Sequence, residues 1–218
     1  MSEELTVRVA HPGDLAALDA LFARTYPSLL KHDYPPSVLV TALFDVLANA
    51  REASGGTVTW GRSAEFSYFP KDQHGYFSRE IDLVDWLREF SHDQSESFVR
   101  TFLGRMLFSG DESKKPVTVL SGGDKVRCML SKLMLENRPT MILDGPTNHL
   151  DLESITALNR SLTKFQGTIL FSSHDVEFTQ TIANRVIEIR PEGVIDRPIQ
   201  YRDYLNERAE QRGLSQVA

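Results

Sequence analysis

A single cysteine, Cys128, stands in 218 residues, so no disulfide closes within the chain. That usage suits a reducing cytoplasm. No second Cys or His lies at ligand spacing from it, so Cys128 reads as a buried, inert thiol. No apolar run approaches the ~20 residues a membrane helix needs, and no membrane partner is expected. The start, "MSEELTVRVA", lacks the basic-then-apolar layout of a secretion signal. Positive charge is scarce as well. Twenty-four Lys and Arg face 30 Asp and Glu, a net charge of −6, which argues against a generic grip on nucleic acid. What remains is the composition of a soluble globular protein with room for one large domain or two small ones.

Leu5 to Val9 alternates as a strand does. "HPGD" turns the chain, and Asp14 is placed to cap a helix through "LAALDALFARTY". Pro35 and Pro36, with Ser37 as a cap, precede a second helix from Val38 to about Ala50. Strands "TVTW" and "EFSYF" follow as a hairpin. The pattern is helical from Ile81 to Leu107 and again after Gly122. Strand "TMILD", a helix from about Leu152 to Phe165, strand "TILFSS", helix "EFTQTIAN" and strands "RVIEIR" and "GVID" complete the order. Helices alternating with apolar strands from Leu120 onward predict an α/β fold with a mostly parallel sheet. The tail from Tyr201 reads as a short charged helix that frays.

Three stretches carry chemistry together. "LSGGDK" puts Ser121, Gly122 and Gly123 at a helix start, where backbone N–H groups and the positive helix end can approach an anion closely. "TMILDGPTNHLD" places Asp144 at the C-terminal end of a strand, where α/β folds site their ligands. A carboxylate there suits Mg²⁺. "ILFSSHD" ends the next strand near His174, in reach of a phosphate. Singly, each has a plainer explanation as a turn, a cap or a solvent-facing side chain.

In combination the stretches resemble the C-terminal ATP-binding cassette of an ABC-F protein, a soluble, translation-associated branch of the ABC superfamily, over about Leu43 to Asp203. "LSGGDKVR" resembles the signature motif, with Asp124 where Gln or Glu is usual. "MILDGPTNHLDLES" resembles the Walker B strand and D-loop, and "SSHD" the switch-histidine motif. The resemblance implies two cassettes that sandwich ATP head to tail. It then implies that Ser121, Gly122 and Gly123, with Asp124, reach a γ-phosphate held by the opposite cassette. Asp144 would hold Mg²⁺, Asp151 would lie at the dimer seam and His174 would contact the γ-phosphate. It further implies a Q-loop in "YFPKDQ", with Lys71 at the usual Gln place and Gln73 two residues on. Partners so implied are a second cassette, in trans or as a dimer, and the ribosome; Lys125, Arg127, Lys132 and Arg138 otherwise read as a solvated helix face.

Two departures bear on catalysis. Gly145 stands where the family carries the Glu that polarises the attacking water, and losing a positioned base typically costs about 10²–10⁴ in rate. The phosphate loop, G-x-x-x-x-G-K-[ST], has no match, because Gly-Lys occurs nowhere in the sequence. From Thr41 on, "TALFDVLA…SGGTVTWG" resembles the helix and hairpin that follow such a loop, with Thr41 at its Mg²⁺-binding hydroxyl. The cassette is therefore expected to be truncated: an incomplete strand-and-two-helix segment over 1–42, a cassette without its loop over 43–197, with a helical subdomain around 81–135, and a charged tail over 198–218.

Residues 1–42 resemble the opening of a GNAT-type acetyltransferase, whose later pyrophosphate pattern fails at "RPEGVI". Three readings follow: an ABC-F ATPase using ATP and Mg²⁺, a non-enzymatic remnant completing an ATP site in trans, and an acetyltransferase fragment. Leu5 to Val9 is the one upstream strand able to fill the slot before the missing loop. An unfilled slot would leave an open apolar edge, so marginal stability is expected.

Overall fold

Alternation along two buried strands sets the architecture. On β3 (Thr140–Asp144) and β4 (Thr168–Ser172), Met141, Leu143, Ile169 and Phe171 point to one face of a sheet, while Ile142 and Leu170 point to the other. Both faces are buried, as the near-continuous apolar runs require. In this computed structural model residues 4–8, 36–53, 58–61, 64–190 and 193–211 are described.

The other strands are β1 (Glu4–Arg8), β2 (Phe66–Phe69), β5 (Arg185–Arg190) and β6 (Gly193–Arg197). Their order is β2-β3-β4-β1-β5-β6. β2, β3 and β4 are parallel neighbours, and β1 runs antiparallel to both β4 and β5. β5 thus points the same way as β2, β3 and β4, so four of the six described strands share one direction, as the sequence predicts, while the β4-β1, β1-β5 and β5-β6 ladders are antiparallel.

Helix α1 (Pro36–Leu47) covers one face. Its Val40, Leu43, Phe44 and Leu47 pack on Ile142, Leu170, Ile187 and Ile189. The second face is covered by the helical segment, α2 (Leu83–Arg88), α3 (Glu96–Arg105) and α4 (Gly122–Glu136), and by α5 (Leu152–Thr163) and α6 (Val176–Ile182). Trp86 anchors the helical part, 1% exposed, between the rings of Phe77 and Phe90.

Three sequence expectations change here. "EFSYF" forms no hairpin with the described part of "TVTW"; it is an edge strand parallel to β3. Trp60 instead stacks on Phe66 at 4.8 Å and donates its indole N–H to the Leu47 carbonyl. Lys132 is 7% exposed, not solvated: it pairs with Glu136 at 2.7 Å over the Phe90 ring. The tail helix α7 (Tyr201–Gln211) is docked through Tyr204, 2% exposed, whose hydroxyl donates to the fully buried Glu188. The predicted helix after Asp14 lies outside the described residues.

Candidate functional site

The C-terminal ends of β3 and β4 form the site's floor. Pairing Asp144 with Ser172 across the two strands lets the Ser172 hydroxyl donate to Asp144 Oδ1 at 2.9 Å. Asp144 is 4% exposed, and its Oδ2 is buried without a hydrogen-bond partner. A buried, unpaired carboxylate oxygen is costly, and a cation is the usual remedy. Beyond the strand ends, the hydroxyls of Thr147 and Ser173 lie 2.8 Å apart, and His174 sits exposed on the following turn.

The loop from Gly145 to Asp151 ties this floor to the start of α4. Gly145 has φ +64°, and the Asn148 side chain fills the space a Cβ there would take. His149, also at positive φ, lies under Gly122 and Gly123: a Cβ on Gly123 would meet its carbonyl at 3.0 Å. A side chain at 123 would force this backbone to give way. Asp151 then caps α5, accepting from the Ser154 N–H at 2.8 Å, and that backbone hydrogen bond holds its carboxyl below the usual range.

Ser121 caps α4 in a reciprocal box with Asp124. Its hydroxyl donates to Asp124 Oδ2 at 2.6 Å, and Arg127 pairs with the other oxygen while lying over the Phe108 ring. Burial raises the Asp124 carboxyl, but the hydrogen bonds from Ser121 and Arg127 outweigh it, and the net shift is downward.

Thr41, Asp45, Tyr68, Lys71, Asp72 and Tyr76 line a cavity of about 480 Å³. Thr41 Oγ1 is buried and unpartnered there, and the Tyr68 hydroxyl donates to Asp45 Oδ1 at 2.7 Å. Burial first, then the Asp45 hydrogen bond and the charges of Asp45 and Asp144, push the Tyr68 hydroxyl far up, so it stays a neutral donor. Gln73 is not among the lining residues; its side chain turns back to the Pro70 carbonyl at 3.3 Å.

For Mg²⁺ donors are present, since Thr41 Oγ1 and Asp144 Oδ2 are both buried oxygens without a hydrogen-bond partner. For a triphosphate they are not. With Thr41 as the loop hydroxyl, Val40 occupies the place of the lysine, and it is 1% exposed in the core. β1 fills the expected slot in the sheet but enters it backwards: Leu5 pairs with Ser172, so Arg8 leaves at the edge away from Asp144. A strand of that polarity cannot deliver a loop to the ligand edge. Sequence reading missed the buried Val40 and the Tyr68–Asp45 pair; the first was legible in the spacing from Thr41, the second only in the pairing of β2 with β3.

Residues 41–148 match the family described as ABC transporter. That segment is an ABC ATP-binding cassette. The chain is 56% identical over 180 residues to an uncharacterized ABC transporter ATP-binding protein, YkpA, of Bacillus subtilis (strain 168), covering 82% of this chain and 33% of the relative. It is 33% identical over 146 residues to ABC transporter F family member 2 of Arabidopsis thaliana, covering 67% of this chain and 22% of that protein. A dimeric structure of the ATP-binding cassette MJ0796, in a post-hydrolysis state bound to ADP and Pi, superposes with a TM-score of 0.58 at 13% identity, over 73% of this chain and 80% of that one. The cassette fold is shared at that distance. The chain spans about a third of the length of the curated relatives it matches.

The acetyltransferase resemblance of residues 1–42 finds no support in these matches. β1 is built into the cassette sheet, between β4 and β5, rather than into a fold of its own. Among the described residues, no helix is long and apolar enough to cross a membrane.

Proposed function

We propose that this cassette supplies the signature face of an ATP sandwich to a second, intact cassette of ABC-F type, and neither seats nor hydrolyses ATP against its own Thr41. The carrying observation is the contrast between the two faces. At Val40 the phosphate-binding cation is replaced by a buried aliphatic side chain. At α4, Ser121 and the two glycines keep an open, capped helix start.

In this reading Ser121, Gly122 and Gly123 present a hydroxyl and backbone N–H groups to a γ-phosphate seated on the partner, with Asp124 fixing the helix start. Asp151 and His149 form the seam, and His174 with Asp144 belong to the face whose own nucleotide is missing. ABC cassettes act as dimers, and the resemblance to the ABC-F branch carries with it a cytoplasmic, translation-associated setting with the ribosome as the larger partner. Gln73 has no part, because its side chain is turned onto its own loop.

Mixing the purified chain with an intact ABC-F cassette tests this. Retention of fluorescent ATP by the mixture should exceed that of the intact cassette alone, and Ser121→Ala should remove the excess. Mg²⁺-dependent ATP binding by the lone chain, unaffected by Ser121→Ala, would overturn it.

A further inference from the structure

The cavity beside Thr41 has the wrong charge for its inherited ligand. Asp45 and Asp72 line it, and the charge of Asp144 reaches the Tyr68 hydroxyl in its wall. Lys71 is the one basic side chain among the described lining residues, and it stands exposed at the rim. Asp45 uses Oδ1 for Tyr68. Nearby, Thr41 Oγ1 and the nine-tenths-buried Asp144 each hold an acceptor without a donor. The arrangement therefore offers acceptors to a donor that carries positive charge, in a cavity that Tyr68 and Tyr76 help to line.

We propose that this cavity receives a primary alkylammonium group, held by Asp45 and Thr41 beside the two tyrosines that help to line it. An ammonium brings three N–H donors and no acceptor, which suits the unsatisfied oxygens. Its alkyl stem suits the aromatic walls, and a cation beside a tyrosine face is attracted by the ring quadrupole. A chelated transition metal fits less well, since no group of three or more His, Cys, Asp or Glu able to hold a metal occurs among the described residues. Mg²⁺, which keeps several waters and needs few carboxylates, is the competing occupant. The loss of the phosphate-loop lysine thus has a positive consequence: a place for anions has become a place for a cation.

The test is a titration of the full chain with cadaverine at constant ionic strength, followed by calorimetry and by NMR shifts of the tyrosine rings. Saturable binding is expected, with Tyr68 and Tyr76 shifting. Asp45→Asn should weaken it tenfold or more with the circular dichroism unchanged, and Lys71→Glu, at the exposed rim, should tighten it several-fold. A parallel arm uses an N-acetyl-lysine amide: equal binding assigns the ammonium to a protein lysine, binding of cadaverine alone to a free amine. The proposal fails if matched NaCl gives the same response, if neither variant changes the affinity, or if Mg²⁺ saturates the same resonances and cadaverine does not displace it. Neither Ser121 nor a second cassette takes part in this titration, so its failure and the failure of the sandwich reading are separate results.

Discussion

The Asn148 side-chain nitrogen lies where a Cβ on Gly145 would stand, and the backbone at 145 is left-handed with φ +64°. The position where the family resemblance expects a catalytic acid is thus closed by a neighbour as well as lacking a side chain. Gly145→Glu is expected to destabilise the fold by about 1–3 kcal/mol through backbone strain, and to confer no ATP hydrolysis. Urea unfolding and a phosphate-release assay check both. A variant as stable as the parent that hydrolyses ATP would contradict the geometry.

Val40→Lys restores the lysine of the phosphate loop and not its chemistry. The side chain would enter the packing of Leu43, Ile142, Leu170 and Ile187, where an unpaired charge costs several kcal/mol, about 3 or more. Loss of a cooperative melt, without any gain in ATP affinity, is the expected result.

Asp124 couples the start of α4 to acidity. Its folded pKa is depressed below the unfolded value of about 3.9. The stabilisation it provides is therefore complete above that pH and disappears as pH falls through the lower, folded pKa. Asp124→Ala should cost about 1 kcal/mol at neutral pH, the usual worth of a helix-capping group. The deficit should shrink below pH 4 in urea denaturation at stepped pH.

Glu188, with no exposed surface, accepts from the Tyr204 hydroxyl and pairs with Arg208 at 3.2 Å. Removing the guanidinium leaves a buried carboxylate short of compensation. Arg208→Ala should cost about 3 kcal/mol, and Arg208→Ala with Glu188→Gln considerably less. Thermal unfolding of the two variants measures the difference, which would vanish if α7 were only loosely attached.

The ligand edge was readable because strand and helix periods put Asp144, Ser121 and His174 at element ends, and ends are where α/β folds hold their chemistry. The direction of β1 was not. "ELTVR" has the alternation of a strand in either sense, and only its pairing with β4 and β5 fixes its polarity. Lys132 was misjudged for a related reason: a lysine on a helix reads as solvated until Tyr76 and Phe90, distant in sequence, are seen to roof it. The inert, buried reading of Cys128 rests on the lack of a second Cys or His at ligand spacing; the thiol is buried, and burial pushes it well above the ordinary range.

The reversed first strand carries a practical consequence for handling the protein. Because Leu5 lies beside Ser172, a label attached at Glu4 stands at the rim where Asp144 and His174 sit. An affinity handle or fluorophore attached there would crowd that rim in every binding assay, and labels belong on another surface.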